Sequence, residues 1–72
     1  MTIPYTIPEE GNTTLVIYDI LGQERLRLID ERLPSGDGSV TFDARLLPPG
    51  RYYYRLSIGQ AGADTRTMVI ER

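Results

Sequence analysis

Apolar and polar residues alternate along most of the chain with a period of two. This period puts successive side chains on opposite faces of a β-strand, whereas an α-helix repeats every ~3.6 residues. In the segment 2–8, Ile3, Tyr5 and Ile7 alternate with polar residues and proline. The pattern predicts a first strand, and Pro4 predicts that this strand lies at a sheet edge.

Five later segments show the same alternation, and turns that contain glycine or proline separate most of them. They lie at residues 13–19, 24–30, 39–44, 51–59 and 65–72. Pro34, Gly36 and Gly38 predict a long loop over residues 31–39. Six or seven short strands without a helical segment predict an all-β fold, an antiparallel Ig-like or fibronectin-like β-sandwich. A five-stranded barrel is the alternative.

The apolar faces of these strands supply the predicted core. The second strand is apolar on both faces, which is typical of a central strand. Leu26 and Leu28 are expected to face inward on the third strand, and Val40 and Phe42 on the fourth.

Three consecutive tyrosines stand in the segment 51–59. Alternation divides them, so that Tyr52 and Tyr54 face the core, whereas Tyr53 lies on the outer face between Arg51 and Arg55. Such a face is able to bind an aromatic or carbohydrate ligand through cation–π contacts, or simply to cover neighbouring side chains. Arg51, Tyr53 and Arg55 are therefore the expected partner contacts of this strand.

A Leu-x-Pro-Gly turn precedes the tyrosines. In Ig-like sandwiches a tyrosine that follows such a turn ties its hydroxyl to the backbone of the corner between the two sheets. Leu46 and Leu47 are expected to anchor the turn in the core, Pro49 to stiffen it and Gly50 to permit it. Tyr52 is then the tyrosine that closes the structural corner.

Composition excludes several classes of function. The 72 residues suffice for one domain, 1–72, and contain no cysteine or histidine, which excludes disulfides, thiolate nucleophiles and the usual zinc ligands. Ten acidic and eight basic residues, the latter all arginine, give a net charge of −2 and form no basic stripe. We therefore expect no nucleic-acid binding and no membrane insertion. No cofactor is expected either.

Carboxylates are the only groups available for acid–base catalysis. Asp30, Glu31, Asp37 and Asp43 are the candidates. Asp37 and Asp43 are also the candidates for a calcium site, because hard cations take oxygen ligands. Their spacing matches no EF-hand loop, and these acids are typical of turn caps and polar loops. We therefore expect a protein that holds no metal and is not an enzyme.

Four stretches occur in an order and spacing that resemble a known family. They are Ile-Pro-Glu at 7–9, Tyr-Asp-x-Leu-Gly at 18–22, Phe-Asp at 42–43 and Pro-x-Gly-x-Tyr at 48–52. Together they resemble, over nearly the whole chain, the type A C-terminal sorting domain of the type IX secretion system. That domain is a relative of the Ig-like domain of the flagellar hook-capping protein.

The resemblance implies a module cut from the C-terminus of a larger exported protein. In that family an outer-membrane translocon recognises the folded module, and a cell-surface sortase removes it from its cargo. The expected function is therefore non-catalytic sorting, with the protein secreted or at the cell surface after it crosses the periplasm and outer membrane. The last strand resembles the family's recognition end, with candidate contacts at Arg66, Met68, Val69, Ile70 and Arg72.

The sequence departs from the family's pattern in four ways. The Pro-Asn-Pro stretch that usually precedes the first strand is missing, and Arg66, Thr67 and Met68 stand where the family usually has Arg-Lys-Met. Arg25 stands where the family has an apolar residue, and Val16 stands where it exposes a polar or basic one. A one-residue shift of register or an engineered surface would produce the last two departures.

Val16, Tyr18 and Tyr53 are expected to form an apolar patch on one outer face, which predicts contact with a partner. The alternative function is therefore a structural or engineered module that self-associates as a homodimer and has no sorting activity.

Overall fold

The computed structural model describes residues 1–60 and 62–71. Across these residues the chain forms six strands and one short 3-10 turn. The strands are β1 (Thr2–Ile7), β2 (Gly11–Asp19), β3 (Glu24–Leu33), β4 (Gly36–Thr41), β5 (Gly50–Ile58) and β6 (Gly62–Ile70). The 3-10 turn, Ala44–Leu46, lies between β4 and β5.

The described strands form two antiparallel sheets. β1 pairs with β4, and the larger sheet has the order β3-β2-β5-β6. In Ig-like sandwiches strands C′, C, F and G share one sheet, and strands B and E are neighbours in the other. β3, β2, β5 and β6 occupy the first four positions, and β1 and β4 the last two. The antiparallel β-sandwich predicted from the sequence is therefore confirmed.

The core lies between the two sheets. Leu15 and Ile17 of β2 are fully buried, and Ile3 and Phe42 close over them from the smaller sheet and its end. The remaining buried members of this cluster are Ile29, Leu47, Tyr52, Met68 and Ile70. Inward alternation on β1, β2, β5 and β6 therefore accounts for most of the core.

The alternation predicted for β3 is interrupted at Leu28, although Leu28 itself packs against the core, as predicted. Leu15 lies opposite Ile29 and Val16 opposite Arg27, so Leu28 is an extra residue between the two pairs. Such a bulge moves the following residue to the other face of the sheet. Ile29 consequently enters the core, with 8% of its surface exposed, and Leu28 is half-buried.

A second bulge explains the placement of Arg25. Ile17 lies opposite Leu26 and Tyr18 opposite Glu24, so Arg25 is the extra residue at this point. Its side chain is exposed, and its guanidinium lies 3.7 Å from the carboxylate of Asp19. A local bulge, and not a slip of the whole strand, therefore accommodates a charge at this position.

The long loop predicted over residues 31–39 is shorter in the structure. β3 continues to Leu33 and β4 begins at Gly36, so residues 34–35 join them. Gly38 lies opposite Tyr5, and a Cβ atom at Gly38 would stand 2.6 Å from the Tyr5 hydroxyl oxygen. Gly38 therefore lies in a strand and not in a turn, and its lack of a side chain permits the close approach of the tyrosine ring.

The corner between the sheets has the predicted tyrosine at its centre. Tyr52 is buried, and its hydroxyl donates a hydrogen bond to the carbonyl of Pro48. Leu47 is 1% exposed and anchors the corner, and Gly50 has a φ of 153°, which favours glycine. Leu46 is 62% exposed, so the prediction that it anchors the turn is wrong. It ends the 3-10 turn, which carries its side chain outward while Leu47 points inward.

Tyr52→Phe should destabilise the protein because it removes the hydrogen bond to Pro48 and leaves the ring in place. We expect a loss of about 1 kcal/mol in the free energy of unfolding, measured by urea denaturation. Tyr53→Phe, on the exposed neighbour, is the control and should change this free energy little. Equal losses in both variants would contradict the role of the corner.

Gly38→Ala should also destabilise the protein, because the added methyl group displaces the Tyr5 ring. Gly11→Ala is the matched control: neither glycine has a positive φ, and a Cβ atom at Gly11 meets its nearest neighbour, in Ile58, at an ordinary 3.7 Å. Thermal unfolding should show a loss of about 1 kcal/mol or more for the first variant and a small gain for the second. A stabilised Gly38→Ala variant would refute the close approach.

Candidate contact face

The outer face of the larger sheet presents the side chains that the smaller sheet does not cover. β5 lies between β2 and β6 in this sheet, so its outward residues stand in the middle of the face. Tyr53 lies opposite Tyr18 on β2 and Thr67 on β6. With 39% of its surface exposed, Tyr53 is accessible to solvent in the middle of this face.

Two arginines flank Tyr53 and form no ion pair with any described residue. Arg51 and Arg55 are both exposed on β5. The other described arginines each lie within 4 Å of a carboxylate; they are Arg25, Arg27, Arg32, Arg45 and Arg66. The guanidinium groups of Arg51 and Arg55 are therefore exposed without an ion pair to a described residue. We call Arg51, Tyr53 and Arg55 the contact triad.

A shallow groove of about 230 Å³ adjoins the contact triad on the β6 side. Arg51 and Tyr53 form one wall, and Thr67 and Val69 of β6 form the other. Val69 lies opposite Arg51 and is 52% exposed. The groove thus places an exposed apolar side chain next to a guanidinium.

The prediction of an exposed apolar patch formed by Val16, Tyr18 and Tyr53 is wrong for Val16. Val16 points to the outer face but is only 3% exposed. Arg27 on β3 and Arg55 on β5 stand directly opposite it on the two neighbouring strands. Long arginine stems cover apolar neighbours while their charged ends stay in water. Val16 is therefore a buried support of the face and not a contact residue, whereas Tyr18 remains half-buried.

Arg27 is held in this covering position by two carboxylates. Its Nη2 donates to Oε1 of Glu24 at 2.7 Å, and its Nη1 lies 3.5 Å from Oδ2 of Asp30. The hydrogen bond to Glu24 and the negative charge of that residue raise the pKa of Arg27 above its ordinary value. These two carboxylates hold the Arg27 guanidinium over β3, so its stem lies against Val16 from the β3 side.

The recognition residues predicted at the chain's end do not share one surface. Met68 and Ile70 are buried, at 8% and 5% exposure, because they alternate into the core opposite Tyr52 and Gly50. Their assignment as contacts is therefore wrong.

The three other predicted recognition residues differ in position. Arg66 lies opposite the inward-facing Tyr54 and pairs with Asp64, whereas Val69 is on the outer face. Arg72 lies outside the described residues. Among the described members, only Val69 belongs to the face that carries the contact triad.

The acidic candidates occupy separate structural positions. Asp37 accepts a hydrogen bond from the Thr6 hydroxyl, and Asp30 pairs with Arg27. Asp43 caps the 3-10 turn and pairs with Arg45. Within the described residues, no three acidic side chains come close enough together to hold a metal ion.

Comparison of the chain with protein-family models, with curated proteins and with solved structures finds no match. The described part of the chain contains no helix of the length and hydrophobicity needed to cross a membrane.

Val16→Ala should destabilise the protein although the residue points outward. The buried methyl groups are lost, and we expect about 1 to 2 kcal/mol less free energy of unfolding in urea denaturation. Val69→Ala removes the same groups from an exposed position on the same face and is the control. Val69→Ala should change the unfolding free energy by less than about 0.5 kcal/mol. A silent Val16→Ala variant would show that the arginine stems do not cover this residue.

Proposed function

We propose that the chain is a non-catalytic Ig-like module that directs an attached cargo through an outer-membrane secretion machinery to the cell surface. The resemblance of four stretches to type IX sorting domains supports this function. The observation that supports a recognition role is the contact triad, with Tyr53 exposed between two arginines that lack ion pairs with described residues.

The contact triad has the chemistry of a protein interface. Arginine and tyrosine are enriched among the residues that dominate binding energy. Each guanidinium presents five donors in a planar fork that matches a carboxylate, and Tyr53 adds a rigid ring with a polar end. In this proposal a component of the secretion machinery contributes acidic side chains to Arg51 and Arg55.

The sheet holds the contact triad in fixed positions. β5 is paired on both sides, with β2 and with β6, so its backbone is held along its length. Alternate residues of a strand are about 6.7 Å apart, which separates the Cα atoms of Arg51 and Arg55 by about 13 Å. A partner strand or helix with two carboxylates at a similar spacing would match both arginines.

Self-association without sorting is the alternative function. The apolar patch on which it depended loses Val16, which is buried beneath Arg27 and Arg55. Val69 is the exposed apolar residue that remains beside the contact triad, and the two arginines without ion pairs to described residues favour an acidic partner over a second copy of this face.

A reporter fusion tests the proposed function. The chain is attached to the C-terminus of a periplasmic reporter in a bacterium that has a type IX secretion system, and surface and medium fractions are assayed. The intact fusion should leave the periplasm. Arg51→Gln combined with Arg55→Gln should retain at least about tenfold more reporter inside, because two charge-assisted contacts are lost. Arg45→Gln, at another exposed arginine, is the matched control.

Two outcomes separate the parts of the proposal. A folded fusion that stays in the periplasm would refute sorting. Full export of the Arg51→Gln, Arg55→Gln fusion would leave sorting standing and would show that the contact triad is not its recognition surface.

A further inference from the structure

A second groove lies between the two sheets, on the inner face of the larger sheet and therefore on the side opposite to the contact triad. It has a volume of about 600 Å³. Ile3 and Tyr5 of β1 line one side, and Leu56 and Ile58 of β5 form an apolar floor. Residues of β6 line the other side; they are Gly62, Ala63, Asp64 and Arg66. β1, β5 and β6 thus bound most of the groove, and Leu15 of β2 and Asp37 and Gly38 of β4 complete its lining.

The edge of β1 next to this groove carries free backbone groups. Met1 and Phe42 exchange two backbone hydrogen bonds, each 2.8 Å long. Because antiparallel strands alternate between bonded and non-bonded pairs, Thr2, Pro4 and Thr6 direct their backbone groups away from β4. Three carbonyls and the N–H groups of Thr2 and Thr6 therefore face this edge, which no described strand covers.

The fold assigns a strand position to this edge. In Ig-like sandwiches the sheet that contains strands B and E has the order A-B-E-D, with strand A beside strand B. β1 occupies the B position and β4 the E position. A strand added to β1 would lie about 4.8 Å further out, in the A position and above the inner face of β6.

We propose that the open edge of β1 and the adjoining groove bind an extended segment of a partner polypeptide, which adds to β1 as a strand. Backbone hydrogen bonds to an exposed edge supply affinity in this mode, and alternate side chains supply specificity. Every second side chain of the bound segment would face Leu56 and Ile58. The residues of the segment at those positions are therefore apolar.

Charge at the rim of the groove selects a basic segment. Asp37 and Asp64 contribute two carboxylates, and Arg66, which pairs with Asp64 at 3.1 Å, contributes one guanidinium. Asp64 lies on the inner face, opposite Leu56, and Arg66 neutralises it. The remaining negative charge belongs to Asp37, which accepts a hydrogen bond from the Thr6 hydroxyl and has no ion pair with a described residue. Its charge favours lysine or arginine at the outward positions of the bound segment next to Thr6.

Pro4 favours a different polypeptide over a second copy of β1. A foreign strand loses one hydrogen bond, because Pro4 has no N–H to donate. Two copies of β1 paired about a two-fold axis would each bring Pro4 and would lose at least two bonds. This inference does not depend on the sorting function, because it concerns another surface of the module.

A synthetic peptide tests the inference with the full chain. The probe is a fluorescein-labelled octapeptide that alternates valine with lysine or threonine, and its binding is followed by fluorescence anisotropy. The control is the same peptide with N-methyl groups on alternate residues, which prevents strand pairing. The first peptide should bind, the control should not, and amide exchange at Thr2 and Thr6, measured by NMR, should slow only with the first.

Variants of β1 test the role of the backbone. Thr6→Pro removes the outward N–H, whereas Thr6→Val keeps it; both lose the side-chain hydrogen bond to Asp37. We expect binding to weaken about fivefold more in Thr6→Pro than in Thr6→Val. Pro4→Val adds an outward N–H and should strengthen binding by a similar factor, which keeps the test decisive should Thr6→Pro not fold.

Three results would overturn the inference. They are the absence of peptide binding, unchanged exchange at Thr2 and Thr6 in the presence of bound peptide, and equal affinities of the Pro4→Val variant and the unchanged chain. Light scattering on the chain alone gives a further decisive outcome: a dimer that protects the same two amides without peptide would assign the edge to a second copy.

Discussion

The hydrogen bond from the Tyr52 hydroxyl to the Pro48 carbonyl is the constraint on which both surfaces depend. It ties the corner between the two sheets to the start of β5, the strand that pairs with β2 and β6. Side chains alternate along β5 from this tether, so Tyr53 points outward, whereas Leu56 faces the groove. A slip of one residue would exchange the two faces and would remove both surfaces at once.

Much of the fold could be predicted because half-buried strands record in their alternation which side faces water. Ile3, Ile7 and Tyr52 are buried as the pattern predicts. The features that the pattern missed depend on residues far away in sequence. The bulge at Leu28 is defined only against β2, and the strand conformation around Gly38 depends on the Tyr5 ring across the ladder.

The two surfaces were predictable to different degrees. Alternation alone places Tyr53 on the outer face, but the burial of Val16 depends on the length of the two arginines that happen to lie opposite it. Met68 was predicted as a contact from the family resemblance alone, but it is buried. The resemblance identifies the strand, and it does not distinguish the residues that face the core from those that face outward. The open edge of β1 requires the sheet order, and Pro4 is the one signal of it in the sequence.

The edge strands differ in whether a bulge or a proline hinders pairing with another molecule, and this difference matters at high protein concentration. β3 is interrupted by bulges at Leu28 and Arg25, and β1 contains Pro4; both features make an edge a poor template for ordered stacking. Among the described edges, β6 is the longest that has neither device, and its threonines and Val69 have high β-propensity. Fibrillar growth of the folded protein would therefore start along β6, with Asp64 and Arg66 as the charges that oppose it.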